Sequence, residues 1–195
     1  CENFAELTND MGINTYPMYW DKSTQETVSS DYGDIDLIFS ANTVSHVQNL
    51  EETLNLIRDS LSDDGVFVLE TPSFLEVLKY NAFDQFYHEH QSYFSYVSVK
   101  NIVEKLGMRV FDLEMYPVHG GTYRFFICKE NANHSNKVQN KYLDNEMRFG
   151  IDDYSNLCGV MDIMKSNMVN IKSMLEDIKK SGKTILENGF KSLNT

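Results

Sequence analysis

The 195-residue sequence predicts an α/β protein in which a parallel sheet ends in an antiparallel hairpin and gives way to long helices. Three observations lead there. The runs Ile35–Phe39 and Val66–Leu69 are compact and apolar, as strands buried on both faces of a parallel sheet are. Between them Leu50, Leu54, Ile57 and Leu61 recur at helical spacing and make one apolar face. Later, Met108–Leu113 and Thr122–Cys128 are separated by a turn at Pro117-Val118-His119-Gly120-Gly121. That loop is too short for a crossover, so an antiparallel hairpin at the sheet edge is expected.

The remaining elements follow in order. Glu2 to Met11 carries Phe4, Leu7 and Met11 at helical spacing, with Gly12 as the stop. Ile13–Tyr16 reads as a short strand, and the chain from there to Asp34 as a polar region. Asp63-Asp64-Gly65 reads as a turn, which makes strand, helix, turn and strand a βαβ unit with a right-handed crossover. Ser98–Leu106 is expected to be a helix closed by Gly107. Asn131–Lys141 looks like a linker. Beyond it, Met164, Met168, Ile171, Leu175 and Ile178 form a seam on a long helix ending at Gly182, to pack on a neighbouring domain or a partner chain. The methionines from Met147 onward read as flexible core filler rather than a cofactor box. Lys183–Leu186 would open another strand. Residues 1–130 are thus expected to form one α/β unit and residues 131–195 the helical start of a second. The first residue is Cys1 and the opening reads as the middle of a helix, as a fragment would.

Seventeen basic and 29 acidic residues give a net charge of -12, with a pI near 4.7 and a mean hydropathy of -0.39. An average field of that sign repels phosphate, so neither nucleic acid nor an anionic membrane surface is an expected partner. The three cysteines, Cys1, Cys128 and Cys158, are far apart and form no C-x-x-C pair, as suits a reducing cytoplasm. No stretch approaches the roughly 20 apolar residues of a membrane span. The expectation is a soluble cytoplasmic protein with a small-molecule substrate.

The densest chemical cluster is Phe86-Tyr87-His88-Glu89-His90-Gln91-Ser92-Tyr93-Phe94-Ser95, between a strand and a helix. Imidazole takes a proton near neutral pH, and a neighbouring phenol or carboxylate can fix its tautomer. In an extended segment Tyr87 and Glu89 would share one side, with His88 and His90 on the other. The same residues also read as a loop whose histidines only bond the backbone. His88 and His90 suit a metal-dependent hydrolase, but two ligands make no site and no H-E-x-x-H spacing supports it, so no metal is expected in this chain. Asn42 and His46 would share a face in a helical turn at the end of the Ile35–Phe39 strand; they read equally as a turn residue and a surface histidine. His119-Gly120-Gly121 allows tight backbone geometry, for a turn or a ligand. No glycine-rich phosphate loop is present.

Three matches, Asp36-Leu37-Ile38-Phe39-Ser40-Ala41-Asn42-Thr43-Val44-Ser45-His46-Val47 followed by Leu61–Glu70, Phe83-Asp84-Gln85-Phe86-Tyr87-His88-Glu89-His90 with Tyr93-Phe94-Ser95, and Leu113-Glu114-Met115-Tyr116-Pro117-Val118-His119-Gly120-Gly121-Thr122-Tyr123-Arg124, resemble the S-adenosylmethionine-dependent sugar C-methyltransferases of deoxysugar biosynthesis. The strand-hairpin ending likewise resembles the class I methyltransferase (Rossmann-like) sheet. The resemblance implies a sheet lacking its first strands, followed by helices opening a truncated C-terminal α/β domain. It also implies a zinc site only in an N-terminal domain this chain lacks. The cofactor is then S-adenosylmethionine and the substrate a nucleotide-linked keto-deoxysugar. By the same resemblance His90 is the general base, Tyr87 and Glu89 lie beside it, and Asn42 and His46 face the substrate. Trp20 and Asp21 would lie against the adenine, although Trp20 also reads as a plain buried tryptophan. The competing reading is a non-catalytic remnant that binds a partner through its methionine-rich helix.

Overall fold

The computed structural model describes residues 2–186. Helix α1 (Glu2–Asp10) and helix α2 (Lys22–Tyr32) precede strand β1 (Ile35–Ala41), helix α3 (Leu50–Ser60) and strand β2 (Leu61–Pro72). Helix α4 (Phe74–Lys79) and helix α5 (Tyr96–Lys105) lead to strands β3 (Met108–Tyr116) and β4 (Thr122–Lys129). Helices α6 (Asn140–Phe149) and α7 (Tyr154–Lys180) follow. The sheet order is β1-β2-β4-β3. β1 and β2 run parallel, while β4 is antiparallel to both β2 and β3. This is the class I methyltransferase-like arrangement. The expected hairpin forms, but its second strand turns inward and lies between β2 and β3, leaving β3 at the edge.

Strand alternation explains the two faces of the sheet. Phe67, Leu69, Leu113, Tyr123, Phe125 and Ile127 point to one face, where Leu54 and Ile57 of α3 and Val99 and Val103 of α5 cover them. On the other face Phe111, Cys128 and Ala132 form a smaller cluster with Val66 and Phe126. Leu37 and Phe39, in register with Val66 and Val68, stay 62% and 57% exposed at the β1 edge.

Several expectations need correction. Ile13–Tyr16 is not a strand: Thr15 instead closes the end of α1, its N–H donating to Asn9 Oδ1 at 2.7 Å and its hydroxyl accepting from Thr8 at 2.7 Å. The α1 helix forms, yet Phe4, Leu7 and Met11 are exposed, while Ala5 is buried. The polar stretch before Asp34 contains helix α2, started by the Asp21 carboxylate, which accepts from Thr24 N–H at 2.9 Å. Leu61 begins β2 rather than ending α3.

Asp63-Asp64-Gly65 is not a turn between elements but a bulge inside β2. Ile35 pairs with Leu61 and Leu37 with Val66, so the residues between must loop out of register. A Cβ on Gly65 would lie 2.8 Å from the Ile35 carbonyl oxygen, so the bulge needs glycine there. Lys183–Leu186 carries no regular structure, because no strand among the described residues pairs with it.

The segment expected as a linker is tied to the sheet. The Arg109 guanidinium donates to the carbonyls of Glu130, Ala132 and His134 at 3.1, 2.8 and 2.6 Å. The His134 ring stacks on Phe111 at 4.5 Å. From α6 the fully buried Glu146 carboxylate accepts from the Tyr96 and Val97 amides at 2.7 and 2.9 Å, which caps the start of α5. On α7 Met164 is buried, but Met168, Ile171 and Leu175 of the seam remain exposed among the described residues. No described helix is long and apolar enough to cross a membrane.

Two outcomes follow. Gly65→Ala should cost about 1–3 kcal/mol, because the strand must shift to admit a methyl group; chemical denaturation measures it. Burial raises the Glu146 carboxyl above the ordinary 4.5, and its two amide donors only partly offset this. The native state therefore holds that proton more tightly than the unfolded chain. Its contribution is full below pH 4.5 and is lost as pH rises through the folded value. The melting temperature of the natural chain relative to Glu146→Gln should accordingly fall between acid and neutral pH.

Candidate active site

The site is built where β1 and β2 end, at the carboxyl edge of the parallel strands. After β1, Asn42 takes a left-handed φ of 53°, which asparagine tolerates better than most residues. Its N–H still donates to Glu70 O at 2.8 Å, which extends the pairing with β2 by one residue. A single turn of 3-10 helix, Val44–His46, comes next. After β2, Ser73 caps α4, and a second such turn, Phe83–Gln85, delivers the chain to the loop holding His90.

The Val44–His46 turn grips that loop on both sides of His90. The amides of Gln91 and Ser92 donate to the Ser45 carbonyl at 2.8 and 3.2 Å. His46 Nδ1 donates to the Glu89 carbonyl at 2.9 Å, and its ring centroid lies 4.9 Å from that of His90. Phe74, Phe86 and Tyr93 form an aromatic group beside the loop, with Phe86 and Tyr93 rings 4.8 Å apart.

The bonds to His90 decide its tautomer. Nδ1 lies 3.0 Å from the Gln85 carbonyl oxygen, which can only accept, so Nδ1 carries the hydrogen. Nε2 then presents its lone pair to the Tyr87 hydroxyl, which donates at 2.8 Å. The Gln85 carbonyl also accepts from the Tyr93 hydroxyl at 3.2 Å. Burial is the main cause that pushes the His90 imidazole below its ordinary 6.5, helped by nearby His46; the Gln85 carbonyl and Glu89 pull the other way. Burial also raises the Tyr93 phenol, so it stays protonated. The arrangement gives a neutral imidazole with one basic nitrogen, the electronic state a general base needs near pH 7.

The structure therefore brings Tyr87, His46 and His90 together. It does not keep the extended-segment geometry: a turn, with His90 N–H on the Tyr87 carbonyl at 3.1 Å, puts Tyr87 and His90 on one side. The Glu89 carboxylate lies at the exposed surface, 3.9 Å from His88 Nε2, and acts on His90 only as a nearby charge, while its carbonyl accepts from His46. The Asn42 Oδ1 is buried with no partner among the described residues. No group of three or more His, Cys, Asp or Glu residues is placed to hold a metal among the described residues. Gln85 and Ser45 act through backbone carbonyls, which no side-chain pattern in a sequence signals.

His119 sits at φ 52° in the β3–β4 turn, and the turn packs on the start of α4, with Ser73 N–H donating to Gly121 O at 2.9 Å. Nearby, Arg124 donates twice to one Glu70 carboxylate oxygen, at 2.9 and 2.7 Å, and lies over the Tyr116 ring.

Trp20 lines a groove of about 400 Å³ with Ile35, Leu37, Ile38 and Phe39 of β1, and its indole N–H is buried without a partner among the described residues. That wall suits a flat aromatic ring with an acceptor at its edge. The Asp21 carboxylate beside it is engaged as the cap of α2. The residues described thus fit the base of a nucleoside cofactor, while a donor set for a ribose or an amino-acid end is not among them.

A sheet of this order with a polar cluster at its carboxyl edge is what a methyltransferase domain presents, and this chain belongs to that family, whose model matches residues 7–113. It is 35% identical over 132 residues to the C-methyltransferase NovU of Streptomyces niveus, a match covering 68% of this chain and 31% of that protein. The chain thus spans about a third of that relative's length. Among solved structures, an O-methyltransferase family protein from Burkholderia thailandensis aligns with a TM-score of 0.44 and 9% identity, over 68% of this chain and 40% of that one. A chain of the complex between the Haloferax volcanii Trm112 methyltransferase activator and the putative methyltransferase aligns at 0.41 and 12%, over 49% and 54%.

An imidazole NMR titration should place the His90 midpoint below 6.5 with the proton on Nδ1. Tyr87→Phe removes a donor that favours the neutral ring, so it should raise that midpoint.

Proposed function

We propose that this chain supplies the proton-abstracting part of an S-adenosylmethionine-dependent C-methyltransferase whose substrate is a nucleotide-linked keto-deoxysugar. The single observation that carries the reading is the His90 ring, tautomerically fixed by Gln85 O at 3.0 Å, which leaves the basic lone pair on Nε2 beside the Tyr87 hydroxyl. The C-methyltransferase relative from Streptomyces niveus supports the bond type, since carbon methylation needs a carbanion equivalent. Bound S-adenosylmethionine supplies an electrophilic methyl group.

The chain's own residues do the rest. Once the Tyr87 hydroxyl swings off His90 Nε2, the freed lone pair takes the proton from the carbon next to the sugar ketone, and the C–H electron pair becomes the enolate π bond. As Nε2 is protonated, the Tyr87 hydroxyl no longer has a lone pair to donate to and can turn its proton toward the enolate oxygen. The Gln85 carbonyl stabilises the imidazolium through Nδ1–H. His46 and Asn42 line the approach to the sugar, Glu89 positions His46 through its carbonyl, and Trp20 with Asp21 borders the adenine. The proton later leaves His90 through Tyr87, which is 42% exposed, to solvent.

A second reading, in which the chain docks a partner without catalysis, draws on the exposed Met168, Ile171 and Leu175 of α7. The two readings separate in one assay of the complete protein with methyl donor and keto-sugar. His90→Ala should lower kcat by about 10²–10⁴. A loss of tenfold or less would sink the base assignment.

A further inference from the structure

His90 borders a small, partly open cavity of about 10 Å³ whose walls also include Ser45, Thr71, Gln85, Ser92 and Tyr93. That is close to the smallest space that admits one water molecule, and too small for any organic ligand. Ser45 is only 4% exposed, and its Oγ has no partner among the described residues. A buried hydroxyl left unpaired is costly, so it calls for a partner in the space it borders. Thr71, 2% exposed, and Ser92 contribute two further hydroxyl side chains to the same wall. A water needs two to four such partners. No described side chain outside the cavity supplies Ser45 with a hydrogen bond, and the cavity supplies the room.

We propose that one water molecule is a resident of this cavity, bound by the Ser45 hydroxyl with Thr71 and Ser92, and that Ser45 is through it a positioning residue for His90. The Ser45 carbonyl already holds the amides of Gln91 and Ser92, at 2.8 and 3.2 Å. The water gives the same residue a second grip, from its side chain to the end of β2 at Thr71. The turn, the strand end and the His90 loop are then joined at one point. The ionisable groups facing His90 are His46 from the turn and Tyr87, Glu89 and Tyr93 from the loop. His90 and Tyr93 both line the cavity, so a water there is a polar neighbour of the imidazole. It limits how far burial can disfavour the imidazolium.

The importance of the site rests on the reading of His90 as base, but its test does not. Water-to-protein cross-relaxation in the 195-residue chain should show long-lived water contacts at the Ser45 and Thr71 β-protons and the Ser92 amide. Ser45→Ala and Thr71→Val should each abolish them and lower the His90 titration midpoint by about half a pH unit, opposite in sign to Tyr87→Phe. Absence of those contacts in the natural chain overturns the water site, whether or not either variant folds. An unmoved His90 midpoint in a folded Ser45→Ala overturns the positioning role. Neither measurement needs a methyl donor or a sugar, so a failure of the base assignment in the kinetic assay leaves this result standing, and the reverse also holds.

Discussion

Strand β4 is the member on which the other parts depend. It lies between β2 and β3 and pairs with both along most of its length, from Thr122 to Cys128 and Lys129. Tyr123, Phe125 and Ile127 are almost wholly buried against the helices, while Cys128 anchors the small cluster on the opposite face. An antiparallel strand in that place brings the Pro117–Gly121 turn back over the end of β2. There the Gly121 carbonyl receives Ser73 N–H, and Glu76 packs so close that a Cβ on Gly121 would sit 2.8 Å from its Cγ. The start of α4, and so the exit of the chain toward His90, is set by a strand more than 30 residues further on.

A second buried contact fixes the other end of the loop. Glu146, on α6, caps α5 at Tyr96 and Val97, just after Ser95 has capped the same helix with its own side chain. Phe94, one residue earlier, bridges to Ser73, and its carbonyl takes Phe74 N–H at 2.9 Å. Residues 86–93 are thereby suspended between two rigid attachments, with the Val44–His46 turn as a third. A short, irregular loop held at three points can keep a histidine in one rotamer and one tautomer without regular secondary structure of its own.

The electrostatic character of the site comes from this suspension rather than from net charge. Carbonyl groups of Gln85, Glu89 and Ser45 do the orienting, and each is a neutral dipole whose direction is set by the fold. Burial is the larger influence and lowers the His90 proton affinity, while the Gln85 carbonyl works against it. The Glu89 side chain, adjacent in sequence, is left to the surface.

Much of this was legible in the order of residues. Apolar runs gave β1 and the core of β2, the spacing of Leu50, Leu54 and Ile57 gave α3, and the short Pro117–Gly121 connection required β3 and β4 to be antiparallel, because local periodicity and loop length are encoded locally. The Tyr87–His90 cluster was legible as chemistry for the same reason. What the sequence could not carry was anything decided by contacts distant along the chain. The inward place of β4, the bulge that absorbs Asp63-Asp64-Gly65, and the helix hidden in the polar stretch after Asp21 each depend on a partner or cap whose effect outweighs local pattern. So does the meeting of Tyr87 with His90, which a turn creates and an extended segment would have prevented. Side-chain identity fixed which groups were available; only the tertiary structure, through backbone carbonyls that have no letter of their own, decided which nitrogen of His90 holds the proton.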